Sequence, residues 1–222
     1  FRHHGEWGVG HGVAVVGVDG ADGEASPHAK VTRLRTTWIP RSEVRRVVTH
    51  EEPNVVTAME DLASASPDEL VRCLSPLPTA YAAWIAKQKQ IELDSEAREG
   101  RKKALLRDAE RANERIRAGI ELLGRDAEVR EAFQLMNRAM AMAARKRSPQ
   151  RYPEGKKPSW RLFQLAFVLL SLVGVADDKS RDREEVDLIF FPTGGGKTEA
   201  YLGVIGFTLL LRRLRGQKRA DG

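Results

Sequence analysis

The chain has 222 residues, enough for one sizeable domain or two small ones. Hydrophobic residues make up 41% and charged residues 31%, which excludes a wholly disordered tail, a collagen-like repeat and a membrane-embedded protein. The 37 Lys and Arg against 31 Asp and Glu give a net charge of +6, which permits binding to a polyanion without requiring it. Cys73 is the single cysteine, so an intrachain disulfide and a zinc ribbon are excluded.

The N-terminal part of the chain has the pattern of short strands. Val9–Val18 mixes glycine with valine, a turn-rich stretch follows, and residues 31–40 place Leu34 and Trp38 on one face of a strand. We therefore expect a hairpin or small sheet within a β-rich N-terminal segment, residues 1–65.

Helical signals begin at Ser66. Ser66, Pro67 and Glu69 have the spacing of a capping box, in which the serine caps the helix and the glutamate reaches back to it. A second helix is predicted from about Thr79, through the aromatic residues that follow it.

Two longer helices follow. Between Lys102 and Leu123 apolar residues recur every three or four positions, and Gly124 is predicted as the C-cap. Asp126 is predicted to start the next helix. We interpret residues 66–144 as a helical accessory region with an antiparallel helix pair.

Residues 145–158 contain three prolines, six basic residues and one acidic residue. This composition predicts a linker and the main boundary in the chain. A solvated hinge is the preferred interpretation, with a nucleic-acid phosphate contact as the alternative.

The longest apolar runs are Leu165 to Ala176 and Ala200 to Leu211. Both are shorter than the roughly 20 residues that span a bilayer, so they predict buried core helices and no membrane contact. The lone cysteine fits a reducing compartment, and a cytoplasmic location is expected.

The motif PTGGGKT is the most informative feature. Val186–Phe191 has the pattern of a strand buried on both faces, Pro192 ends it, and Lys197 opens an apolar helix. Strand, glycine-rich loop and helix are the context of a phosphate-binding loop, because glycines let the backbone N–H groups approach phosphate oxygens. The glycines are Gly194, Gly195 and Gly196.

Residue types in the loop predict roles. Lys197 would reach the β- and γ-phosphates of ATP, and the Thr198 hydroxyl would bind Mg²⁺, so both are the candidate catalytic residues and Thr198 the metal ligand. Thr193 and Glu199 complete the predicted cofactor-binding set. The strict motif would place glycine where this chain has Phe191, whereas the relaxed form typical of superfamily 2 helicases is matched in full.

A second element lies upstream. Superfamily 2 proteins commonly carry an Arg-x-aromatic-Gln element on the helix before the loop, and Arg161, Phe163 and Gln164 match it. A glutamine amide offers a donor and an acceptor, so Gln164 could pair with the N6/N7 edge of adenine and select ATP over GTP.

The segments WRLFQLAFVLLSLVGVAD and DREEVDLIFFPTGGGKTEAYLGVIGFTLLLRRLRG are similar to the helicase subunits of the DISARM bacterial anti-phage defence system. VGVGHGVAV, TTWIP, YAAWI, RAGIELL and EAFQLMNRAM resemble the same family less specifically. The resemblance implies a superfamily 2 DNA helicase or translocase with ATP and Mg²⁺ as cofactors, acting with DNA and a second core DISARM subunit.

The resemblance also implies a mixed α/β fold, in which residues 159–222 are the start of a RecA-like P-loop domain. Because the chain begins with Phe1 and the motif lies near its end, we expect a stretch of a longer protein. The DExx strand and the second RecA-like domain are then expected outside these residues, and the chain alone should not hydrolyse ATP. A partner-docking or DNA-gating accessory module and a non-helicase P-loop ATPase remain alternatives.

Overall fold

The computed structural model describes residues 14–19, 23–24, 33–38, 50–189 and 195–220. Helices dominate the described part of the chain. The chain divides into two compact units, Phe1–Arg46 and Val47–Gly222.

The first unit contains a small antiparallel sheet of β1 (Ala14–Asp19), β2 (Gly23–Glu24) and β3 (Arg33–Trp38). The strand order is β2-β1-β3, with Val15 opposite Thr36 in the central pair. The valines of β1 and the alternating pattern of β3 suit a pleated surface. The predicted hairpin or small sheet is therefore confirmed.

The described part of the second unit is helical, with two short 3-10 turns at Pro149–Arg151 and Arg181–Glu184. Its α-helices are α1 (Met59–Ser64), α2 (Pro67–Leu74), α3 (Pro76–Lys89), α4 (Glu96–Arg125), α5 (Ala127–Arg147), α6 (Leu162–Ala176) and α7 (Lys197–Ala220).

One hydrophobic core joins these helices. α4 packs chiefly against α6, and α5 packs against α7 and α1. At the α4–α6 crossing, a Cβ added to Gly119 would lie 2.1 Å from the carbonyl oxygen of Leu169, so the two backbones approach as only glycine allows. The largest fully buried core side chains include Leu62, Leu123, Phe133, Met136, Leu165, Leu169, Leu172 and Phe207.

The predicted capping box forms at the start of α2. The Ser66 N–H donates to Glu69 Oε2 at 2.8 Å, and the Glu69 N–H donates to Ser66 Oγ at 3.4 Å. The first of these bonds is the main reason that the pKa of Glu69 is lowered. The local spacing was therefore sufficient to place this helix start.

The prediction of Gly124 as a C-cap is wrong. α4 runs through it to Arg125, and Asp126 serves as both the C-cap of α4 and the N-cap of α5. Asp126 Oδ1 accepts from the N–H groups of Glu128 and Val129 at 2.9 and 3.0 Å, and its extended backbone ends α4 without a left-handed residue. The two helices of the predicted pair, α4 and α5, do contact each other. However, α4 packs more extensively on α6, and α5 on α7.

The basic segment 145–158 is largely ordered. α5 continues to Arg147, and Arg145 binds the Glu60 carboxylate with Nε–Oε1 and Nη2–Oε2 distances of 2.7 and 3.0 Å. This hydrogen-bonded pair lowers the pKa of Glu60 and raises that of Arg145. Helices on both sides of the segment share the core, so the segment joins parts of one unit and the division falls after residue 46.

The predicted strand Val186–Phe191 is wrong over its described part. Residues 186–189 have no regular structure, and Val186 and Leu188 are 96% and 87% exposed. A buried parallel strand needs hydrogen-bonded neighbours on both sides. Among the described residues, the strands of a sheet occur in the first unit alone.

The two apolar runs differ in burial. In α6 the predicted core face forms, with Leu165, Val168, Leu169 and Leu172 buried. In α7 one face carries buried Phe207 and Leu211, while another carries four exposed apolar side chains, so the prediction of a fully buried helix is wrong there. No described helix has the length and apolarity to cross a membrane. The four exposed apolar residues of α7 are Tyr201, Leu202, Ile205 and Leu209.

Candidate functional site

The N-terminal ends of α6 and α7 lie side by side and bring together the two sequence elements predicted to bind nucleotide. The first is the start of α6, with Arg161 as its N-cap and Gln164 in its first turn. The second is Gly195–Gly196, which leads directly into α7. Thr193 and Gly194 of the predicted loop lie outside the described residues.

Gly196 has a backbone that requires glycine. Its φ is +86°, and an added Cβ would lie 2.6 Å from Gln164 Nε2 and 3.2 Å from Glu199 Oε2. The left-handed conformation and the missing Cβ together let the chain turn into α7 against these side chains.

Gln164 links the two elements through its amide. Its Nε2 donates to the carbonyl of Gly196 at 2.6 Å, and its Oε1 accepts from the N–H of Arg161 at 2.8 Å. The side chain is 5% exposed, so these bonds satisfy a buried polar group that would otherwise be costly. The amide orientation is thereby fixed from both ends.

Arg161 provides a second link. Its Nη1 donates to the carbonyl of Gly195 at 2.5 Å. Two successive carbonyls at the end of the loop are therefore held from one turn of α6. Phe163, the aromatic member of the predicted element, is half-buried beside them on α6.

The predicted residues at the start of α7 differ in exposure. Lys197 is half-buried and makes a contact of its own, whereas Thr198 is exposed. Glu199 is half-buried, and its Oε1 lies 3.0 Å from Nη2 of Arg147 at the end of α5. Arg147 was not predicted, because 52 residues separate it from Glu199 and no local pattern marks the contact.

A buried indole packs beside the contact between the starts of α6 and α7. Trp160 is 3% exposed, and its Nε1 donates to Oδ1 of Asn137 at 2.7 Å. Asn137 in turn donates to the Phe133 carbonyl at 2.9 Å, so a polar chain links α5 to the start of α6. The ring also lies 2.9 Å from the place of a Cβ on Gly203 of α7. An isolated tryptophan in the sequence gave no signal of this role.

The approach segment, residues 180–189, is held to α4 by charge. Arg115 places Nη1 and Nη2 at 2.6 and 2.8 Å from the two carboxylate oxygens of Asp187, and its Nε lies 3.2 Å from Asp182 Oδ2. The hydrogen bonds to Asp187 raise the pKa of the Arg115 guanidinium. These contacts were not predicted either, because no local pattern joins α4 to a segment so far along the chain.

The arrangement is suited to holding an anion. α7 is a helix of 24 residues, so its N-terminal N–H groups carry partial positive charge, and Lys197 adds a cation at the same end. The described residues contain no group of three or more His, Cys, Asp or Glu side chains placed to hold a metal ion.

No known protein-family model matches the sequence. The chain is 35% identical over 214 residues to DISARM protein DrmA of Bacillus paralicheniformis, an alignment that covers 86% of this chain. It covers 18% of that relative, so the chain spans less than a fifth of the length of the protein it resembles.

Proposed function

We propose that the chain carries the nucleotide-binding start of an ATP-dependent DNA helicase or translocase of superfamily 2, acting in the cytoplasm in a bacterial anti-phage defence system. One observation carries the proposal: Gln164 and Arg161 bind the carbonyls of Gly196 and Gly195. The adenine-reading element and the phosphate loop belong to separate stretches of sequence, and they lie in direct contact. The similarity to DISARM protein DrmA supports the part of the proposal that concerns anti-phage defence.

The phosphates would be bound at the start of α7. A glycine-rich loop and the positive end of the helix suit a polyphosphate, and Lys197 would neutralise charge on its β- and γ-groups. The exposed Thr198 hydroxyl would ligate Mg²⁺, which supplies further neutralisation of the phosphates when bound. In this proposal residues 159–222 form the first elements of a RecA-like P-loop domain.

Adenine selection by Gln164 fits its remaining hydrogen-bonding capacity. A glutamine amide has two N–H donors and two lone pairs on oxygen. The structure uses one N–H on Gly196 and one lone pair on the Arg161 N–H. One donor and one acceptor remain, as the N7 and N6 positions of adenine require, whereas guanine presents two acceptors at that edge.

DNA and a second core DISARM subunit are the proposed partners. The relative is a DISARM protein, which supports a partner protein from the same defence system. The intact protein would couple attack of water on the γ-phosphate to movement along DNA.

Lys197→Ala in the intact protein tests the site. Loss of the ammonium should reduce ATP hydrolysis by about a hundredfold or more, because charge developing on the transferred phosphoryl group loses its partner. Arg213→Ala, on the exposed far part of the same helix, is the matched control and should leave the rate unchanged. Hydrolysis by Lys197→Ala at the wild-type rate would refute the assignment.

An accessory role for the upstream helices is the second candidate function. It is favoured by the common core of α1–α5 with α6 and α7, which makes the helices part of the nucleotide-binding unit. The accessory role has two forms, a DNA-gating module and a partner-docking module. The salt dependence of DNA affinity, measured on the intact protein, distinguishes them. A steep fall of log affinity with log salt indicates phosphate contacts, and a flat profile indicates docking of a protein.

A further inference from the structure

Arginines from the upstream helices hold the chain on both sides of the loop. Before the loop, Arg115 of α4 makes two parallel hydrogen bonds to Asp187, at 2.6 and 2.8 Å. After the loop, Arg147 of α5 pairs with Glu199, with an Nη2–Oε1 distance of 3.0 Å. Neither arginine belongs to the elements predicted to bind nucleotide.

The contact before the loop has the stronger geometry. The Arg115 side chain is 12% exposed and the Asp187 side chain 31% exposed, whereas Arg147 is 66% exposed. A two-bonded arginine–carboxylate pair that is shielded from water fixes position as well as charge, whereas an exposed single contact contributes little. Asp182 adds a second carboxylate to the same guanidinium, at 3.2 Å.

Apolar burial contributes little to holding the approach segment. Val186 and Leu188, on either side of Asp187, are almost wholly exposed. The adjacent Glu185 pairs with Arg111, which lies one turn before Arg115 on α4. Between Glu185 and Asp187, the contacts that hold the segment to α4 are therefore charge pairs.

We infer that Arg115 is a positioning residue for the phosphate loop, acting through Asp187 on the segment that leads into it. Its importance for ATP rests on the proposed function. By this inference, α4 is a structural part of the nucleotide site, and displacement of α4 changes how the loop presents its N–H groups.

The test compares Arg115→Gln, Asp187→Asn and the double variant in the full chain. Amide hydrogen exchange at Arg183 and Glu185, whose N–H groups donate to the carbonyls of Ser180 and Asp182, should be accelerated about three- to tenfold in each single variant without nucleotide. Because Arg115→Gln removes the contact to Asp187 and also the one to Asp182, the double variant should exchange no faster than Arg115→Gln. Asp187→Asn lies outside the helices, so it keeps the test open if Arg115→Gln folds poorly.

Arg98→Gln is the matched control. Arg98 lies on the same helix and also makes two bonds to an aspartate, Asp94, but this pair is exposed and lies within the first turn of α4 and the residues before it. Exchange at Arg183 and Glu185 should be unchanged in this variant. Unchanged exchange in Arg115→Gln and Asp187→Asn, or additive acceleration in the double variant, would overturn the inference.

Affinity for Mg·ATP, followed with a fluorescent ATP analogue, separates the two proposals. We expect about five- to tenfold weaker binding in both single variants and the same loss in the double variant. If wild-type protein binds no nucleotide, or Lys197→Ala binds as wild type does, the proposed function fails. Hydrogen exchange then still decides whether Arg115 positions the loop.

Discussion

The α4–α6 crossing and the start of α7 lie in the same unit, yet they are held together by different kinds of contact. At the crossing, Gly119 brings two backbones together and the surrounding side chains are apolar and fully buried. At the start of α7, the carbonyls of Gly195 and Gly196 accept hydrogen bonds from Arg161 and from the buried Gln164. Close packing holds the α4–α6 crossing together, and hydrogen bonds hold the start of α7.

This difference separates stability from function. A closely packed crossing resists any added atom, so changes there alter the free energy of unfolding. Loss of a hydrogen bond at the start of α7 should cost less stability, but it should change how Gly195 and Gly196 are held. Substitutions in each region test that division.

Gly119→Ala should have the largest effect on stability. Its Cβ would lie 2.1 Å from the Leu169 carbonyl oxygen, so α4 and α6 must move apart, at a cost of about 3 kcal/mol in the free energy of unfolding. Urea denaturation followed by circular dichroism measures this. Gly100→Ala, on the same helix with nothing within 4 Å, is the control and should stabilise by about 0.5–1 kcal/mol. Equal effects of the two changes would show that the crossing is loosely packed.

Trp160→Phe should cost about 2 kcal/mol, because Oδ1 of buried Asn137 loses its donor. Trp84→Phe, at a side chain that is 48% exposed, should stay within about 0.5 kcal/mol of wild type in the same denaturation experiment. A negligible loss in the free energy of unfolding for Trp160→Phe would show that this side chain acts through packing alone.

Gly196→Ala should have a smaller effect on stability than Gly119→Ala and a larger effect on ATP binding. The left-handed φ of +86° makes alanine unfavourable by about 1–2 kcal/mol, a smaller stability loss than at the crossing. Contact of the new Cβ with Gln164 Nε2 should at the same time displace the loop and weaken ATP binding strongly. Parallel denaturation and nucleotide titration test this, and full ATP affinity in the variant would contradict a role for the turn.

Glu60→Gln should have the smallest effect, visible in its pH dependence. The hydrogen bond with Arg145 lowers the folded pKa of Glu60 below its ordinary value of 4.5. The stabilisation is therefore complete above that ordinary value and is lost as the pH falls through the lower folded value. The melting-temperature difference between wild type and Glu60→Gln should shrink in acid. Exposed Glu154→Gln provides the control, and a difference that stays constant with pH would refute the linkage.

Local patterns in the sequence predicted local structure well. The Ser66–Glu69 capping box and the Asp126 helix start depend on residues within one turn, so spacing alone determined them. The sequence assigns Arg161, Gln164, Gly195 and Gly196 to one nucleotide site, but it did not predict the hydrogen bonds that join them.

Contacts between distant residues could not be predicted in the same way. Arg115 and Asp187 are 72 residues apart, and either could have been a solvated surface charge. The wrong prediction at Gly124 has a different cause. Asp126 ends the helix two residues later, so no left-handed glycine is needed at its end. The strand predicted at residue 186 depended on neighbouring strands, which a local pattern cannot supply.

The buried position of Trp160 gives the protein an intrinsic optical reporter. An indole enclosed between α5, α6 and α7 emits at shorter wavelength than an exposed one and is shielded from iodide, whereas Trp84 is 48% exposed and accessible to it. Because the ring contacts the position of Gly203 on α7, movement of that helix changes the polarity around the fluorophore. In a variant with Trp7 and Trp38 replaced by phenylalanine, iodide-resistant emission therefore offers a label-free signal for events beside the start of α7.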